Sequence, residues 1–103
     1  MKPQLISTTL VAMLLAAPVF AQSCADGKTL TDGTLTIATG NPAYYPWVMD
    51  DAPESGNGFE AAVAYALAEK MGFAAGNVAW VRTSFDQAIQ PGAKDFDINL
   101  QQF

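Results

Sequence analysis

The chain has 103 residues, with ten acidic against five basic side chains, no histidine and one cysteine, for a net charge of −5. An acidic chain with no basic cluster is a poor partner for nucleic acid or for an anionic membrane surface. Lacking histidine, it cannot build a Ser-His-Asp triad, a Cys-His pair or the usual zinc centre from these residues.

The first element is a targeting segment. Met1-Lys2 supplies a positive start, Leu10 to Phe20 is almost wholly apolar, and Val19-Phe20-Ala21 presents small residues where a signal peptidase reads them. Residues 1–21 are therefore expected to be a secretory signal peptide cleaved after Ala21. The apolar run is short for a transmembrane span. The rest of the chain keeps Lys28, Lys70, Arg82 and Lys94 against all ten acidic residues. Cys24 follows a poor lipoprotein box, Ala21-Gln22-Ser23, which leaves two readings: a free thiol, or a thiol whose partner lies beyond Phe103.

Thr29-Leu30-Thr31-Asp32-Gly33-Thr34-Leu35-Thr36 contains an Asp-Gly turn, either closing a hairpin or delivering the chain into the next strand. Leu35 to Ala38 reads as a buried strand. After it, Pro42 and Pro46 each remove an amide donor and push the preceding residue out of helical geometry. The segment from Gly40 to Trp47 is thus an irregular loop carrying Asn41, Tyr44, Tyr45 and Trp47. An irregular loop at the carboxyl end of a strand and ahead of a helix is where open α/β sheets bind ligands.

The turn-rich stretch Asp50 to Gly58 holds Asp50, Asp51 and Glu54, but their spacing differs from that of an EF-hand, and a solvated loop is expected. Phe59 to Met71 is the clearest helix. Phe59, Val63, Leu67 and Met71 recur every four residues and are expected to form its core-facing stripe, beside alanines that allow close packing on a sheet. Glu60 in the first turn and Lys70 in the last complement the helix dipole, and Gly72 is placed to end it. Glu60 reads as a helix-start carboxylate rather than a ligand contact.

Val78 to Val81 reads as a second strand, with Trp80 on one face or at an edge. Ser84-Phe85-Asp86-Gln87 carries a capping box for a brief helix ended by Pro91-Gly92. Phe96 to Leu100 reads as a third strand. The order β-α-β-α-β implies a parallel sheet covered by helices. Arg82 is expected to lie far from a ligand cleft. The run Asp97 to Phe103 stops in what reads as a strand, so the chain is expected to continue, and the exported piece is marginal as an independent fold.

In their order, Gly33 to Thr39, Pro42-Ala43-Tyr44-Tyr45-Pro46-Trp47, Gly58-Phe59-Glu60 with its helix, Phe85-Asp86 and Lys94-Asp95-Phe96-Asp97 carry a family likeness. The chain resembles the extracellular solute-binding proteins of family 3, the periplasmic receptors of polar amino acid ABC transporters, from about Leu30 to Phe103. The resemblance implies a two-lobed protein that closes on its solute, of which residues 22–103 form the first half of lobe one. It implies a small polar solute and a membrane permease as partners, and no cofactor and no catalysis.

It also implies that Tyr44 packs on the bound solute, that Trp47 is the pocket's second wall or a plug beneath the loop, and that Asn41 lies near the solute's side chain. Gln101 and Gln102 stand where many relatives have Ser or Thr contacting the solute's amino and carboxylate groups. The family's carboxylate-clamping arginine and ammonium-binding acid fall beyond Phe103. Two alternatives use the same lobes: a cyclohexadienyl dehydratase-like enzyme, or the sensing domain of a membrane signalling protein.

Overall fold

The computed structural model describes residues 3–4 and 25–102. The expected signal peptide, Cys24 and Phe103 lie outside the described residues, except that Pro3 and Gln4 are exposed. Among the described residues no helix is long and apolar enough to cross a membrane.

The protein is α/β. Strand β1 (Leu35–Thr39), helix α1 (Phe59–Lys70), strand β2 (Val78–Arg82), helix α2 (Phe85–Ile89) and strand β3 (Ile98–Asn99) follow in chain order, with short 3-10 turns between them. The three strands form one parallel sheet in the order β2-β1-β3. Leu35 pairs with Val78 and Thr39 with Arg82, while Ile37 pairs with Ile98. As the central strand, β1 is buried along its whole length, as parallel strands covered on both faces are. The expected alternation and parallel sheet are thus observed, although β3 is shorter than the sequence suggested.

The Asp-Gly turn closes only one antiparallel bridge, Thr31 to Thr34, so it delivers the chain into β1 rather than building a hairpin. Asp97, just before β3, secures that entry. Its two carboxylate oxygens accept the Leu30 amide at 2.8 Å and the Thr36 amide at 2.7 Å.

The face of α1 that meets the sheet differs from the expected one. Ala61, Ala64 and Ala68 are buried, whereas Phe59, Val63 and Leu67 are exposed. A strict four-residue step advances by about 40° each time on a helix of 3.6 residues per turn, so the Phe59–Met71 stripe spirals around the axis. Only Met71 reaches the core, beside Leu35, Ile37, Ala64, Ala68 and Phe73. Alanine contacts let the helix backbone lie close to the sheet. Gly72, with φ of 91°, ends the helix as expected. The Phe73 amide returns to the Ala68 carbonyl and the Gly72 amide to that of Glu69, a paired closure that delivers Phe73 into the core. On the outer strand β2, Trp80 packs edge-on against Tyr65 and donates its indole N–H to the Tyr65 hydroxyl at 3.1 Å.

Candidate functional site

Because the strands are parallel, the connections leaving their carboxyl ends gather on one rim of the sheet. The loop after β1 is held there mainly by its backbone. The α1 amides that have no partner within the helix are met by loop carbonyls: Phe59 by Pro46, and Glu60 and Ala61 by Trp47. Val48 and Ala43 of the loop pack with Ala61 in a small second core. Gly58 lies at this junction with φ of 101°, and a Cβ on it would sit 2.5 Å from the Trp47 carbonyl oxygen. Only glycine fits such an approach with that backbone conformation.

Side chains add a second tie. Arg82, the last residue of β2, donates to the Gly40 carbonyl at 2.9 Å, to Asp51 Oδ1 at 2.5 Å and to the Asp51 carbonyl at 2.6 Å. Asp51 Oδ1 also accepts the Ala43 amide at 2.8 Å. The Ala43 N–H, and after it the Arg82 guanidinium, hold the Asp51 carboxyl below the usual carboxylate range. Arg82 therefore lies beside the loop rather than far from it. Register explains the correction: Arg82 pairs with Thr39, one residue before Gly40. Its donors are turned to the loop, so it acts as a brace.

Between these connections lies a cavity of about 230 Å³. The loop after β1 contributes Gly40, Asn41, Pro42 and Tyr44; the segment after β2 contributes Thr83, Ser84 and Phe85; Gln101 and Gln102 follow β3. The segment that follows each strand thus supplies part of the wall, at the edge where open α/β sheets take ligands. No charged side chain lines it. Two exposed aromatic residues, Tyr44 and Phe85, belong to the lining. The volume falls below the roughly 300–1,000 Å³ of a complete small-molecule pocket.

Asn41, Tyr44, Gln101 and Gln102 are brought together there. Trp47 is not; it packs edge-on against Phe59, ring centres 5.8 Å apart, over the start of α1. Tyr45 is 74% exposed and also outside the lining. Glu60 does not line the cavity but accepts from Gln102 Nε2 at 2.5 Å, and Gln102 Nε2 also donates to Thr39 Oγ1 at 2.8 Å. Thr83, Ser84 and Phe85 are the lining residues that the sequence reading missed. The available signal was the Ser84 capping box, which the structure forms reciprocally with Gln87. A cap directly after a parallel strand begins its helix on the rim formed by the strands' carboxyl ends.

A larger cavity, about 330 Å³, lies against α2 and is lined by Arg82, Gln87, Gln90, Lys94 and Asp95 among others. Its cations are committed elsewhere: Lys94 caps α2 through the Gln87 and Gln90 carbonyls, and Arg82 braces the loop. Asp50, Asp51 and Glu54 do not converge, and no group of three or more potential metal-ligating side chains occurs among the described residues.

Comparison of the chain with protein-family models, with curated proteins and with solved structures finds no match.

Proposed function

We propose that this chain belongs to an exported, periplasmic solute-binding receptor, that it forms the first half of one lobe, and that it captures an amino acid or similar small polar solute for an ABC transporter permease. The observation that carries the reading is the uncharged cavity at the carboxyl ends of all three strands, where Asn41, Tyr44, Gln101 and Gln102 meet. A zwitterionic solute needs apolar surface for its body and fixed polar groups for its ends. Tyr44 and Phe85 offer the first, and the two glutamine amides the second. An ammonium beside an aromatic face gains a further ~0.5–2 kcal/mol. The role is capture without chemistry, with the second lobe completing the enclosure.

The test is calorimetry of the full two-lobed protein against the common L-amino acids. At least one is expected to bind, and Tyr44→Ala is expected to weaken that binding by on the order of 1–3 kcal/mol, the value of a buried aromatic contact. Unchanged affinity would remove Tyr44 from the site, and binding of no amino acid at millimolar concentration would overturn the assignment of an amino acid as the solute.

A further inference from the structure

An asparagine can lose its side-chain amide nitrogen to attack by the peptide nitrogen that follows it. The four asparagines of this chain are unequal in that respect. Asn41 precedes Pro42, which has no amide proton to release. Asn77 precedes Val78, whose branched Cβ crowds the approach. Asn99 precedes Leu100, whose N–H is held by the Ala38 carbonyl at 2.9 Å. Asn57 precedes Gly58, which carries no Cβ to stand in the way.

The structure leaves that pair unguarded. The Asn57 side chain is exposed, and neither it nor the Gly58 N–H makes a hydrogen bond among the described residues. The bonds that are made around them favour loss of the Gly58 proton. The Met49 N–H donates to the Asn57 carbonyl at 3.0 Å. That oxygen shares the negative charge once the peptide nitrogen is deprotonated, so a donor on it stabilises the anion. Gly58 is also the N-cap of α1, at the positive end of the helix dipole.

We infer that Asn57 is a site of self-modification, deamidated by way of a cyclic imide formed with Gly58. The Gly58 nitrogen, its proton lost to solvent base, bonds to Asn57 Cγ. The bond from Cγ to the side-chain nitrogen breaks, and that nitrogen takes up a proton and leaves as ammonia. Water then opens the imide at one of its two carbonyls. Opening at Cγ gives aspartate, and opening at the main-chain carbonyl gives isoaspartate. Either product adds a negative charge. The second also lengthens the main chain by one carbon, at the junction where Gly58 lies against the backbone of Trp47. The reaction needs only water, and it is independent of what the cleft binds.

The experiment incubates the full exported protein, folded, in mildly alkaline buffer beside a synthetic peptide running from Glu54 to Ala61. Both are followed by mass spectrometry. The protein is expected to gain the mass difference between –OH and –NH2, and peptide mapping to place the change on Asn57 while Asn77 and Asn99 stay intact. Chromatography separates the two products, which are equal in mass. Asn57→Gln closes only a larger, less readily formed ring and is expected to lose the change. A protein still unmodified at Asn57 when the peptide is half converted overturns the inference, as does a change that maps first to Asn77 or Asn99.

Discussion

The two ends of the parallel sheet are tied in different ways. At the amino end one carboxylate, Asp97, takes two backbone amides, Leu30 and Thr36, and its own amide donates to the Thr36 carbonyl at 2.8 Å. That end is sewn shut. At the carboxyl end the loop is fastened to the first turn of α1 by its carbonyls and to β2 by Arg82 and Asp51. These ties run behind and beside the loop and leave its inner side facing a cavity. The same fold therefore spends its polar groups on closure at one end and on framing an opening at the other.

If backbone packing, rather than the exposed ion pair, orders the carboxyl end, its most damaging single change is Gly58→Ala. The new Cβ would meet the backbone of Trp47 and Val48 at 2.5–2.8 Å, from a residue at φ of 101° and ψ of 158°. Strain of about 1–3 kcal/mol for the conformation and a similar cost for overpacking add to about 3–5 kcal/mol. Urea unfolding measures it. A loss below about 1 kcal/mol would mean that the loop can lift off α1 freely, and the contrast between the ends would dissolve.

A smaller effect is expected at the closed end. Asp97→Ala strands two amides, which at roughly 1–1.5 kcal/mol each amounts to about 2–3 kcal/mol of stability. Because Asp97 lies at the far end of the strands, affinity for solute in the folded protein is expected to stay within about twofold of the parent, on the rule that distant sites act independently. A solute affinity that falls along with stability would show that the two ends are coupled.

The sequence made the succession of elements readable but left their docking obscure. Strand runs, the capping box at Ser84 and the terminating Gly72 are local signals, and each marks a feature that the structure contains. The buried side of α1 was not local information. Phe59, Val63 and Leu67 are the larger apolar residues, yet alanines at 61, 64 and 68 face the sheet because close approach of the backbone outweighs side-chain size there. Arg82 was misplaced because register with Thr39 depends on strand pairing. Gln101 and Gln102 were marked as site residues, but the bond from the Gln102 amide to Glu60, 42 residues away in sequence, was not local information.

The smallest effect concerns the Asp51 carboxylate, and it separates the ion pair from the backbone ties. Its pKa in the folded state is lowered, first by the Ala43 amide and then by Arg82. A group with a lowered folded pKa contributes stability that is fully present above its unfolded value, about 4. That contribution is lost as pH falls through the lower folded value. No change is expected from Asp51 between pH 5 and 8 on the basis of that value of about 4. The Ala43 amide proton, which the carboxylate holds directly, reports the titration by NMR. Its shift is expected to move with a midpoint below the ordinary aspartate range, and Arg82→Gln is expected to raise that midpoint while the Ala43 hydrogen bond keeps it depressed. A midpoint at the ordinary value in the parent protein would mean that Asp51 does not hold the loop in solution. Fastening of the rim would then fall wholly to the Pro46 and Trp47 carbonyls at the start of α1.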